Sequence, residues 1–229
     1  MSLVPLYTSW GVMMFVVSVF LWNLVGVWLF FVYMTFSIWL LVKEVGMGRC
    51  THNLGFLVFI LTELLTFASL FYVSHYSMQE YLFDEVRYIS EFDEFPLLGC
   101  MVLLSSSIWV TGFHFNFGLD RCRWYLLSGI MLGCCFMLVQ FFEFNDSPYY
   151  FTDCPYYVVA FSTIGLHFIH VLGGVVVLSM ILLVGYDSFN RFYVEMSVWY
   201  WHFVDYVWLL VFMVFYYPAE LWLPFFFLF

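Results

Sequence analysis

Long apolar runs separated by short polar breaks organise this chain. Seven runs stand out, at about 8–22, 24–43, 54–74, 97–117, 124–142, 157–184 and 196–217. A helix rises about 1.5 Å per residue, so roughly 20 nonpolar residues cross about 30 Å of hydrocarbon. The runs are continuously apolar and do not alternate, which predicts helices over barrel strands. The first run is short and joined to the second by Asn23 alone, so helices 1 and 2 are expected to form a tight hairpin. The sixth is long enough to tilt or project from the bilayer. Helix 5 is expected to end near Glu143, ahead of a turn at Asn145-Asp146-Ser147-Pro148. With no linker or internal repeat, residues 1–229 read as a single transmembrane domain with a tail at 218–229.

Composition agrees with that pattern. The chain is 65% hydrophobic, 25% aromatic and 10% charged. So few polar side chains could not coat a water-soluble fold of this size. In lipid the exterior is as apolar as the interior, and the expected class is an all-α polytopic membrane bundle. A net charge of −10 with six Lys and Arg gives no clustered cationic face, which excludes nucleic acid as a partner. Residues 1–14 show no basic n-region, Arg/Ser-rich stretch or A-x-A-like site, so no address signal is expected. Thirty-one Phe against one Lys fits a T-rich organellar genome, whose product needs none.

The basic residues give an orientation. With seven spans Lys43, Arg49, Arg121, Arg123 and Arg191 share one side, and only Arg87 falls on the other. That asymmetry marks the cytoplasmic or matrix side. The acidic 75–96 loop lies opposite, where it reads as a solvated loop or a lure for a cationic partner. The N-terminus is therefore expected inside and the C-terminus outside. Trp22, Trp124, Tyr149, Tyr150, Tyr216, Tyr217 and Trp222, near span ends, suit an interfacial aromatic belt.

Polar groups inside the runs carry the candidate chemistry, because an ionised group in mid-membrane costs about 3 kcal/mol or more. Glu63 lies mid-span; it reads either as a proton-handling site or as a neutral carboxyl hydrogen-bonded to a neighbouring helix or to Thr62 or Thr66. His167 and His170 are three apart and share one face of helix 6. Two ligands on one face are short of the three or four that a metal site needs, so no metal is assigned. His114 paired across helices with His167 or His202 could hold haem, as in an independent b-type cytochrome. In helix 7, Glu195, Trp199, His202 and Trp208 form a near-continuous stripe, and Asp205 is placed to hydrogen-bond His202. Ser105, Ser106 and Ser107 read as a close-packing run, with an intramembrane Ser-His hydrolase as the weaker alternative. The six cysteines show no zinc spacing.

The run WYWHFVDYVWL at 199–209, with Glu195 ahead of it, resembles the last helix of cytochrome c oxidase subunit III. GLHFIHVLGG at 165–174 is similar to that family's Gly-x-His-x-x-His-Val run. Gln140, Glu143 and Asp153 match its landmarks between helices 5 and 6, and Pro96-Leu97-Leu98 and His114 match helix 4. TELLTFASLFYVSHYS at 62–77 resembles the helix 3 run, placing Glu63 on the family's buried carboxylate and His75 on its histidine. The likeness spans about 40–217. Lys43-Glu44 stands for the family's Arg-Glu, and its His-rich segment is mostly missing. Arg49, His52 and Lys43 are the candidates there for inner-side lipid headgroup contacts.

The resemblance implies seven helices in two groups, 1–2 and 3–7, with a lipid-filled V-shaped cleft between them. It implies a subunit with no catalytic redox centre, haem a and copper being held by subunits I and II. Such a subunit packs against subunit I and accessory subunits, binds structural phospholipid and supports proton uptake. Glu63 would be its proton-related carboxyl. His75, His114, Glu143, His167, His170, Glu195, His202 and Asp205 would be buried polar or lipid-related sites. The expected location is the mitochondrial inner membrane, N-terminus in the matrix and C-terminus in the intermembrane space. A bacterial plasma membrane, or a quinol oxidase of the same fold, is the alternative.

Overall fold

The computed structural model describes residues 4–45, 53–81, 94–118, 122–185 and 191–216. Arg49, His52, the acidic loop core and the 218–229 tail lie outside the described residues, as does the side chain of Lys43. Among the described residues seven helices follow one another: α1 Val4–Phe20, α2 Leu24–Val45, α3 Asn53–Tyr81, α4 Phe95–Phe115, α5 Cys122–Asp146, α6 Pro155–Val184 and α7 Arg191–Phe215. The expected all-α membrane bundle is what forms. Among the described residues, α3 to α7 are each long and apolar enough to cross a bilayer, and the apolar parts of α1 and α2 are shorter.

Helix ends depart from the apolar runs in both directions, α1 and α4 stopping two residues short of theirs. The hydropathy pattern marks the oil-crossing stretch, whereas a helix ends where its backbone bonds or caps end. Thus α3 continues past 74 to Tyr81, α5 reaches Asp146, and α7 begins at Arg191, five residues before the apolar run. Both α4 and α6 start on a proline in their first turn, where a missing N–H costs no bond. Gly185 closes α6 at φ 92, donating its N–H to the Ile181 carbonyl at 3.2 Å.

The chain divides into two compact units, residues 1–51 and 52–229. In the first, α1 and α2 form the expected hairpin. The reversal uses Trp22 at φ 51, a positive value that a bulky residue adopts only in a tight turn. Asn23 donates its N–H to Ser18 O at 2.9 Å and receives the Gly26 N–H on its side-chain oxygen at 3.4 Å. Tyr7 stacks on Tyr33 with centroids 4.1 Å apart, and the Tyr33 hydroxyl donates to the Tyr7 carbonyl at 2.7 Å.

In the second unit α4, α5, α6 and α7 enclose the core, and α3 lies on its flank with most side chains exposed. Contacts fix the directions. Gly99 meets Trp208 while Trp201 reaches Ser106, so α4 and α7 are antiparallel. His167 meets Val204 and Gly174 meets Trp201, so α6 and α7 are antiparallel as well. In lipid no hydrophobic force drives helices together, so close approach over small residues and interhelical hydrogen bonds must do it. Gly133 and Gly174 both face Trp201: a Cβ on Gly174 would meet the indole at 2.8 Å. Gly129 lets α5 lie against Val110 and the Ser106 carbonyl of α4. The serine run thus serves the close packing that its composition predicts.

Candidate functional site: polar side chains inside the bundle

Glu63 is met from across the bundle. Its Oε2 lies 2.9 Å from His170 Nε2, joining α3 to α6. Thr62 and Thr66, the local partners considered from sequence, donate instead to the backbone carbonyls of Phe59 and Glu63. The proton inventory of the pair follows from its neighbours. His170 Nδ1 lies 2.7 Å from the Leu166 carbonyl, an acceptor only, so Nδ1 carries a hydrogen. Nε2 therefore accepts from a protonated Glu63 or, in an imidazolium, donates to the carboxylate. Either way one proton lies between them. The Tyr200 hydroxyl donates to the His170 carbonyl at 3.3 Å, and Phe67 packs edge-on to the ring. At 12% and 25% exposure, His170 and Glu63 sit at the margin of the helix group, not in its centre.

His167 and His170 do not converge, although they share a helical face in sequence. His167 turns into the core, between Phe136 and Trp208, and donates from Nε2 to Val204 O at 3.1 Å. His170 turns toward α3. Helical spacing fixes direction to within a sector, and which neighbour fills that sector is a tertiary fact.

His202 departs from expectation too. The spacing makes a hydrogen bond to Asp205 available, but the imidazole crosses to α4, with Nδ1 2.7 Å from Ser107 Oγ and Nε2 3.2 Å from Thr111 Oγ1. One residue earlier, the Trp201 indole N–H donates to Ser106 Oγ at 3.1 Å. Trp201, absent from the predicted stripe, is fully interior, while Trp199 is exposed. Two hydroxyls in succession on α4 thus dock two successive side chains of α7. The signal in the sequence is a small polar run, Ser105-Ser106-Ser107, in a chain that also carries the adjacent Trp201-His202 pair.

At the other end of the unit, Glu143 is buried and receives the Gln140 amide at 2.8 Å. Asp153 accepts the Tyr150 N–H at 2.7 Å and holds the α5–α6 turn. Tyr216, expected in the interfacial belt, is buried against Trp208 and Phe212 instead. Trp22 and Trp124 are exposed, as a belt requires. Glu195 makes an i,i+4 ion pair with Arg191 at 2.9 Å, on the surface. His75 lies in the last third of α3, and His114 lies in the last turn of α4, half-buried. Among the described residues no group of three His, Cys, Asp or Glu is placed to hold a metal ion. Of the imidazoles considered with His114 for a haem, His202 has both ring nitrogens engaged, whereas His167 engages Nε2 and its buried Nδ1 has no hydrogen-bond partner among the described residues.

Known proteins bear on this arrangement directly. The sequence model of cytochrome c oxidase subunit III matches residues 41–220. The chain belongs to the cytochrome c oxidase subunit III family. Cytochrome c oxidase subunit 3 of Artemia franciscana is 33% identical over 191 residues, covering 77% of this chain and 72% of that one. The Rhipicephalus sanguineus protein of that name is 34% identical over 70% of this chain and 68% of its own length. That of Drosophila melanogaster is 31% identical over 71% and 67%. The matched region contains α3 to α7 and starts within α2, as the resemblance does. Membership makes the chain a membrane-embedded part of a respiratory oxidoreductase complex, in a family whose subunit has no redox centre of its own.

Proposed function

We propose that this chain is the non-redox core subunit of a proton-pumping cytochrome c oxidase in the mitochondrial inner membrane, where it packs on subunit I, retains phospholipid and supports proton uptake. The observation that carries the proton role is the Glu63–His170 pair. A carboxyl and an imidazole sharing one proton within the span can exchange it without stranding an unpaired charge in oil. The same pair suits a structural role, and turnover separates the two.

The orientation reading, N-terminus in the matrix and C-terminus in the intermembrane space, is supported by the second unit. The antiparallel order brings the starts of α5 and α7, with Arg123 and Arg191, to one end. Glu94, Glu143, Asp146 and Asp153 gather at the other. Basic residues favour the side from which the chain inserts.

The deciding experiment is purification of the native membrane complex. The chain is expected to co-migrate with haem a and copper and with the subunits that hold them. A free chain with neither partner ends this reading. Native mass spectrometry of the same preparation is expected to find bound phospholipid, and lipid-free subunit would count against retention.

A further inference from the structure

Four buried side-chain atoms have no hydrogen-bond partner among the described residues: His167 Nδ1, Asp205 Oδ1, Trp208 Nε1 and the Tyr216 hydroxyl. They gather about one side chain. The Trp208 ring lies 4.9 Å from that of His167 and 6.2 Å from that of Tyr216, centroid to centroid. Asp205 precedes Trp208 by three residues, so the two are neighbours on α7. Buried polar atoms are nearly always paired, and a cluster of exceptions calls for a partner from outside the side chains.

Two of the four are complementary. His167 Nε2 faces the Val204 carbonyl at 3.1 Å, an acceptor only, so Nε2 holds the hydrogen. In the neutral ring Nδ1 is then a bare acceptor, whereas the Trp208 indole can only donate. Each nitrogen lies in its own ring, so their separation is the 4.9 Å between centroids, changed at most by the ring radii. At about 2.8 Å per hydrogen bond, one water spans roughly 5.5 Å and two in series roughly 8 Å. Space comes from α4. A Cβ on Gly99 would stand 3.6 Å from Trp208 Cζ2 and 3.3 Å from Phe136 Cε2. Cζ2 adjoins the carbon that bears the indole nitrogen, so this methyl-sized gap opens beside the N–H edge. Phe136 closes it from α5, edge-on to both His167 and Trp208.

We propose that Gly99, Phe136, His167 and Trp208 enclose an internal water site. The bound water accepts the indole N–H and, directly or through a second water, donates to His167 Nδ1. Asp205 Oδ1 is the acceptor left for a remaining hydrogen. A buried water commonly makes about three such bonds to otherwise unpaired groups. The bridge ties α6 to α7 beside the direct His167–Val204 bond, and it exists only because α4 carries a glycine at that level. It is independent of the Glu63–His170 pair, which lies at the margin of the helix group.

The test is a cryo-electron-microscopy map of the assembled oxidase at a resolution that shows ordered water. A peak is expected within about 3.2 Å of Trp208 Nε1, joined to His167 Nδ1 by itself or by one further peak. Absence of the peak overturns the proposal, as does a direct bond between the two ring nitrogens. So does an indole N–H turned onto the thiol of Cys100, buried next to Gly99 on α4. Gly99→Ala sets a methyl in the gap and is expected to remove the peak while α4 to α7 keep their places. A peak that survives the methyl overturns the site. Should Gly99→Ala not assemble, Trp208→Phe decides: the donor is gone, the peak must go with it, and its persistence overturns the bridge.

Discussion

Single residues divide here by what their surroundings let them do. Glu63→Gln keeps size and hydrogen-bonding capacity, so the complex is expected to assemble, while proton uptake during turnover falls if the shared proton is used. Assembly is read from co-purification and uptake from the pH change per turnover. Loss of assembly would mean that the carboxyl supports the packing as an ion. His170→Asn should reproduce the uptake defect, because either partner alone leaves the pair unable to exchange. Both residues were legible as embedded polar groups, since hydropathy makes any such side chain conspicuous. Their pairing was not, because residues 107 apart meet only through the order in which helices pack. The same limit hid the turn of His202 toward α4 and the burial of Tyr216. Apolar runs report what faces oil, but the inside of a membrane bundle is apolar too, so they are silent on which face turns inward.

At the scale of helices, the apolar runs located all seven and missed mainly their ends. Some helices carry on past the end of the pattern as far as their backbone bonds allow, as α3 does to Tyr81. Close approach is the property that can be tested. Gly174→Val would place branched carbons in the Trp201 ring, whose distance to even a single Cβ is 2.8 Å. Such overpacking costs typically about 1–3 kcal/mol. The expected result is a lowered temperature of thermal inactivation for the complex, with its optical spectrum unchanged below that temperature. An unchanged inactivation temperature would show that α6 and α7 lie farther apart. In the hairpin, Trp22→Gly removes a bulky side chain from φ 51 and is expected to leave α1–α2 intact or slightly steadier.

For the molecule as a whole, the asymmetry of charge becomes a statement about sides. Cysteines introduced at residues 2 and 229 are expected to react with membrane-impermeant maleimides from opposite compartments, the C-terminal one from the outer side. Labelling of both from one side would require an even number of crossings. The family and its class were legible because the motifs at 165–174 and 199–209 occur in order and at fixed spacing. The division into units at 51 was legible only as an implication of that likeness, since no change of composition marks it.

Two glycines cradle the Trp201 indole from neighbouring helices, and that has a genetic consequence. A mutant enlarged at Gly133 or Gly174 should be rescued by a second change that shrinks the ring, such as Trp201→Phe, and much less readily by changes elsewhere on α7. Respiratory growth selection would then recover revertants concentrated at a single codon, a fingerprint of three positions sharing one volume.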